Sequence, residues 1–262
     1  MTRSATGNAY FAHIDGLRAL AVLSVIAYHL DASWLPGGFT GVDIFFVISG
    51  FVVSASVDRL PRIAVAAELA RFYARRLRRI APALLVCVLV TALFSTLFIP
   101  ESWLSEASTK TGRMALFGLS NWVLASVGQD YFSPRAEFNP YTQTWSLGVE
   151  EQFYLLFPWM FLAWMRGGAG RAWSLGLFAL ASAASLGYAW QRTQVPGHEV
   201  TSFYLTTARF WQLGAGVVLF QLMALLRRRD GQRVFAAGIG LPAPLRAVLL
   251  LLALAAIGNG LW

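Results

Sequence analysis

The stretch DGLRALAVLSVIAYHL, residues 15–30, is apolar enough to enter a bilayer, yet it carries Asp15, Arg18 and His29. An ionisable group at the bilayer centre costs roughly 2.5–3.5 kcal/mol on insertion scales, so one that is kept there marks a functional site by default. Arg18 and His29 are eleven positions apart. On a helix they project within about 20° of each other and lie about 16 Å apart along the axis. Asp15 and Arg18, at i and i+3, also fit a plain intrahelical pair.

The surrounding chain decides what kind of helix this is. Its 262 residues are 57% hydrophobic and 13% charged, with mean hydropathy +0.56. Long apolar runs alternate with short polar ones, which excludes an ordinary soluble domain and predicts an all-α polytopic transmembrane helical bundle. Spans are expected at 13–31, 37–57, 80–99, 144–165, 172–190, 203–226 and 247–262, about seven in all, each near the roughly 17–25 residues a tilted helix needs. A shorter apolar stretch, 114–127, is expected to be re-entrant or to lie on the outer face. Residues 1–262 read as one membrane domain. The chain ends at Trp262 inside its last expected span, as a C-terminally truncated chain would. The N-terminus lacks a signal-peptide pattern, so no removed leader is expected. Cys87 is the single cysteine, and with His13, His29 and His198 as the only histidines the composition argues against a disulfide or a metal centre.

The net charge of +8 comes mostly from arginines beside apolar segments, a placement that fits membrane orientation and anionic lipid rather than nucleic acid. The linker 58–79 holds Arg59, Arg62, Arg71, Arg75, Arg76, Arg78 and Arg79, which predicts a cytoplasmic linker, a cytoplasmic N-terminus and an external 31–37 turn in the inner membrane. If 114–127 does not cross, Arg227, Arg228, Arg229 and Arg233 also fall inside. Then 100–143 and 191–202 are external. The ten tryptophans read mostly as an interfacial belt.

Other spans add ionisable groups at comparable depth. GGFTGVDIFFVISGF (37–51) places Asp43 near the outer side, with glycines that permit close helix contact. TWSLGVEEQFYLLFPW (144–159) carries Glu150 and Glu151. Adjacent helical residues point about 100° apart, so one carboxylate is expected to meet a polar chamber; the spacing leaves open which. SFYLTTARFWQLGAG (202–216) adds Arg209. Asp43 and one glutamate also fit purely structural pairing, the glutamate with Arg209. Asn121 and Trp122 fit either an external acceptor path or packing.

Four of these stretches, DGLRALAVLSVIAYHL, GVDIFFVISGFV, FYARRLRRIAPAL and WSLGVEEQFYLLFP, resemble in order and spacing the signatures of the acyltransferase-3 membrane family. The resemblance implies transfer of an acyl group, commonly acetyl, onto envelope or exported carbohydrate in bacteria. It implies an acyl-CoA co-substrate such as acetyl-CoA, with no bound cofactor. It also implies that Arg18 and His29 are essential and that Arg75, Arg76, Arg79 and Glu150 or Glu151 belong to the functional set. Gln212 stands where an acid would be expected beside Arg209.

Such chemistry needs a base for the acceptor hydroxyl, and an imidazole, with an unperturbed pKa of about 6.5, suits that role at His29. Glu150 or Glu151 is expected to orient His29. Arg18 is expected to bind a donor phosphate or to stabilise the oxyanion, and Arg75, Arg76 and Arg79 to bind the phosphates of CoA. The competing reading is a carrier for a lipid-linked sugar or small acid, but the inverted repeats common in carriers are not found in the sequence. A non-catalytic scaffold leaves the intramembrane charges unexplained.

Overall fold

The computed structural model describes residues 12–60, 63–100, 105–127, 138–195 and 199–229, and these contain helices and turns with no strand. The helices are α1 (Ala12–Leu30), α2 (Gly41–Asp58), α3 (Val65–Phe98), α4 (Glu106–Ala115), α5 (Ser120–Val127), α6 (Thr144–Arg166), α7 (Ala169–Thr193), α8 (Glu199–Tyr204) and α9 (Thr206–Arg229). A short 3₁₀ turn, Gly38–Thr40, leads into α2.

Helix α9 is central, packed along both α2 and α7, while α6 lies against α7 and α1 against α2. Within a bilayer, close packing rather than water exclusion holds helices together, and small residues let the backbones approach. Gly50 and Gly216 do this between α2 and α9. A Cβ at Gly50 would overlap the Leu213 carbonyl, and one at Gly216 would overlap the Val47 carbonyl. Around this contact runs an aromatic core. Phe153, Phe157, Phe161 and Trp164 follow i, i+4, i+8 and i+11 on α6 and are all buried, with Phe178 of α7 and Phe220 of α9 against them. The outward faces are apolar too: Leu85, Leu89, Leu93 and Leu97 on α3, and Trp173, Leu180 and Trp190 on α7, are exposed. Such an inverted surface suits hydrocarbon, not water.

Four helical stretches are long and apolar enough to cross a membrane: Gly38–Asp58, Val65–Phe98, Ala169–Thr193 and Thr206–Leu226. Helices α1 and α6, at 19 and 23 residues, have sufficient length but carry Asp15, Arg18, Glu150 and Glu151. The expected short segment at 114–127 is a helical end, a turn and α5. Helices α4 and α5 have ten and eight residues, too few to cross, and Gly118 turns between them at φ +68°. The expected span 203–226 is interrupted at Leu205.

Most of the basic linker proves to be helix. Arg71 to Arg79 lie within the 34 residues of α3, because Ala, Leu, Glu and Arg favour helix and no glycine interrupts them. The expected span 247–262, together with Arg62, His198 and Arg233, lies outside the described residues.

Overpacking typically costs about 1–3 kcal/mol. Gly50→Leu, set against backbone rather than a yielding side chain, is expected to cost at least that much and to lower the thermal midpoint of the detergent-solubilised chain. Gly176→Ala, with open space around its Cβ position, should leave the midpoint nearly unchanged.

Candidate active site

Three charged residues of α3 share one stripe with Phe72. Glu68, Phe72, Arg76 and Arg79 follow i, i+4, i+8 and i+11, and this stripe meets α6. The Tyr73 hydroxyl donates to the Leu155 carbonyl at 2.9 Å, and Arg166 reaches Glu68 at 3.9 Å. The Arg76 guanidinium lies 4.2 Å from the centre of the Tyr154 ring and 5.7 Å from that of Phe72. Burial of a cation over an aromatic face recovers part of its lost hydration.

Glu150 is the carboxylate this stripe approaches. It is buried, has Ser49 as a hydrogen-bonding neighbour, and lies within electrostatic reach of Arg76, Arg18 and Arg79. Glu150 Oε1 and Arg18 Nε are buried without a hydrogen-bond partner among the described residues. Three guanidinium groups around one carboxylate leave the cluster formally positive by two, so it favours an additional anion. Glu151 points elsewhere, against Gly118 of the α4–α5 turn. Arg75 is exposed, with Arg71 and Arg76 as its charged neighbours. Of the two glutamates and three linker arginines singled out by sequence, the structure brings together Glu150, Arg76 and Arg79.

A second site lies farther along α1. His29 Nδ1 is 2.8 Å from the Val25 carbonyl. A carbonyl only accepts, so in the neutral ring Nδ1 carries the proton and Nε2 the lone pair. His29 opens on a cavity of about 900 Å³ formed by the end of α1, the start of α2, residues 139–146 and the end of α8. The partners of His29 are the Val25 carbonyl and the Tyr28 ring, whereas Glu150 sits in the arginine cluster. The expected contact between His29 and a glutamate is therefore replaced by a backbone carbonyl one turn earlier on the same helix. In the turn beyond, Asp31 accepts from the Ser33 amide at 2.8 Å and hydroxyl at 2.7 Å, bonds that hold its carboxyl below the usual range.

Asp43 and Arg209 form a pair at 2.8 Å behind the cavity wall. Gln212 Nε2 donates to the same Asp43 oxygen at 3.2 Å, taking the place where an acid was expected and avoiding a second negative charge. Arg209 Nε donates to the Phe203 carbonyl at 2.9 Å, and the guanidinium lies 4.6 Å from the Phe203 ring centre and 5.7 Å from that of Trp145.

Sequence reading overlooked two groups. Tyr154 and Ser49 flank Glu150, and Tyr154 was findable as its i+4 neighbour. Gln152 was the other: its Nε2 donates to the Gly118 carbonyl at 2.7 Å and to Asn121 Oδ1 at 2.8 Å. Asn121 in turn donates to the Tyr204 carbonyl at 3.1 Å, across the break between α8 and α9. Asn121 is thus a packing residue. Trp122, exposed, donates to Gln152 at 3.1 Å.

For Asp43 and Arg209, a double-mutant cycle with Asp43→Ala and Arg209→Ala is expected to give a coupling energy of about 0.5–3 kcal/mol, read from equilibrium unfolding in detergent. Additive losses would mean the pair contributes nothing as a pair.

A family model described as an acyltransferase domain matches residues 11–262. Among curated relatives, the chain is 44% identical over 149 residues to O-acetyltransferase OatA of Staphylococcus aureus, covering 57% of this chain and 24% of that protein. It is 40% identical over 160 residues to peptidoglycan O-acetyltransferase OatA of Listeria monocytogenes, covering 60% of this chain and 25% of that one. It is 36% identical over 215 residues to putative peptidoglycan O-acetyltransferase YrhL of Bacillus subtilis, covering 80% and 33%. The matched region thus spans a quarter to a third of those relatives. No solved structure matches the chain significantly.

Proposed function

The chain belongs to the acyltransferase domain family, and on that basis we propose that it is an integral-membrane O-acyltransferase, moving an acyl group, acetyl by preference, from acyl-CoA to a hydroxyl of peptidoglycan. The donor approaches from the cytoplasmic side of the inner membrane, where the arginine-rich half of α3 and the N-terminus lie. The acceptor meets the opposite end of the bundle. One observation carries this reading: α1 bears two polar sites on one face, with Arg18 in the arginine cluster and His29 on an open cavity. The names of the relatives support the acetyl group and the peptidoglycan acceptor.

The roles follow from charge and reach. Arg76 and Arg79 hold donor phosphate, and Arg75 meets it from solvent. Arg18 lies about 16 Å along α1 from His29, too far to share one carbonyl, so its part is donor binding rather than oxyanion stabilisation. Glu150 keeps the guanidinium groups convergent until the donor arrives. His29 Nε2 takes the proton of the acceptor hydroxyl as its oxygen attacks the thioester carbonyl. The C–S bond then breaks, and CoA leaves as the thiol with a proton returned from His29. Val25 holds the ring in the required tautomer, the task expected of a glutamate. Asp43 and Arg209 shape the cavity wall.

A positioned general base contributes roughly 10²–10⁴-fold. His29→Ala is therefore expected to lower transfer from labelled acetyl-CoA to peptidoglycan by that factor in membranes with equal protein. Persistent transfer would remove the base. Paired Arg76→Ala and Arg79→Ala should raise the acetyl-CoA KM by at least tenfold, each lost charged hydrogen bond being worth about 1.5–3 kcal/mol, with the acceptor KM little changed. Movement of a sugar across the membrane without acylation would instead select a carrier.

A further inference from the structure

The cavity beside His29 differs in kind from two others. One on α3, between Pro82 and Thr91, and one on α7, between Ala169 and Leu180, are lined almost wholly by apolar side chains, and both lie among exposed apolar residues. The His29 cavity has five aromatic walls, Tyr28, Phe39, Trp145, Phe203 and Tyr204. Its rim carries the Thr142 and Ser146 hydroxyls and the Gln143 amide, while the amide of Asn139 beside them is bonded to the Thr111 hydroxyl and the Tyr141 N–H. Among the described residues, none that lines it is an Asp, Glu, Lys or Arg. Its volume of about 900 Å³ lies within the roughly 300–1,000 Å³ typical of ligand sites.

We propose that this cavity is the acceptor subsite, a cradle for an uncharged pyranose ring whose C–H faces lie on Phe39 and Phe203 and whose hydroxyls meet the 139–146 rim and His29. A pyranose has apolar faces and a hydroxyl edge, and aromatic planes ringed by neutral amides and hydroxyls complement both. The absence of lining charge also disfavours a nucleotide phosphate, which the arginine cluster on α3 accommodates instead. The inference rests on the transferase reading and deepens it.

The walls are held before any ligand arrives. Phe39 packs edge-on against Tyr28 with ring centres 5.6 Å apart, and Trp145 lies 4.8 Å from Phe203 and 5.4 Å from Tyr204. Phe203 is fixed twice by Arg209, through its carbonyl and its ring face, and Arg209 is fixed by Asp43. Rigid aromatic walls reduce the ordering cost of binding. Asp43 and Arg209 are on this account positioning residues, felt in acceptor KM and not in donor KM.

The test uses the full chain in nanodiscs and a neutral N-acetylglucosamine disaccharide as probe. Equilibrium binding is measured without acyl-CoA, and transfer is measured separately with labelled acetyl-CoA. Phe203→Ala and Phe39→Ala should each weaken disaccharide binding by about tenfold or more, because each removes an apolar wall from the ring. Phe203→Tyr should restore most of it, which separates loss of the wall from loss of the fold. Arg209→Lys should raise the acceptor KM with the donor KM unchanged. Transfer by the wild type with an acceptor KM indifferent to Phe39→Ala and Phe203→Ala would overturn the subsite while leaving the transferase intact. Disaccharide binding that depends on those rings, without any acyl transfer, would sink the transferase reading and leave the subsite standing. A cavity filled by a phospholipid chain that the disaccharide cannot displace would overturn the proposal.

Discussion

A carboxyl enclosed in an apolar bundle is costly to ionise, and Glu150 meets that cost with guanidinium groups of two other helices and a hydroxyl of a third. The cost of burying an isolated ion runs to several kcal/mol even after relaxation, and only close opposite charge and hydrogen bonds return it. Ser49 of α2 is a hydrogen-bonding neighbour of this side chain, and Arg18 of α1 and Arg76 and Arg79 of α3 lie within electrostatic reach of it. The arginine-rich half of α3 is therefore drawn against α6, where Tyr154 and Phe72 receive Arg76 and Tyr73 bonds the α6 backbone. Removal of the carboxylate would leave repelling guanidinium groups with no reason to converge.

The bundle thus has two chemically distinct tiers. One is charged, with an excess of cations and with atoms on Arg18 and Glu150 that have no hydrogen-bond partner among the described residues. The other has aromatic, amide and hydroxyl groups around a single imidazole. Helix α1 runs through both. On the proposed function, separation of charge in this way lets one helix face an ionic donor and a neutral acceptor without either competing for the other's site.

Helical periodicity and the cost of membrane charge made the main elements legible. Both are local properties, so the near extents of α1, α2, α6 and α7, and the shared face of Arg18 and His29, could be read directly. Whatever depended on a distant partner could not. Glu150 and Glu151 are adjacent and chemically alike, and only the positions of α1 and α3 distinguish them. Asp43 and Arg209 are 166 residues apart in sequence. The interruption at Leu205 is stabilised by Asn121 bonding the Tyr204 carbonyl, an interaction 83 residues long in sequence that an apolar run does not reveal. The basic stretch before Pro82 read as a linker because charge density masked good helix formers.

The continuity of α3 has a mechanical consequence. Its 34 residues extend about 50 Å as one rod, against a hydrocarbon core of about 30 Å. Its apolar half must stay in the lipid, while its arginine stripe is joined to that half by continuous helix through Pro82. A thinner or thicker bilayer is then accommodated by tilting the helix, bending it at Pro82 or deforming the surrounding lipid. Either adjustment moves the guanidinium groups relative to Glu150, so membrane thickness becomes a ruler that sets how well the charged tier is assembled.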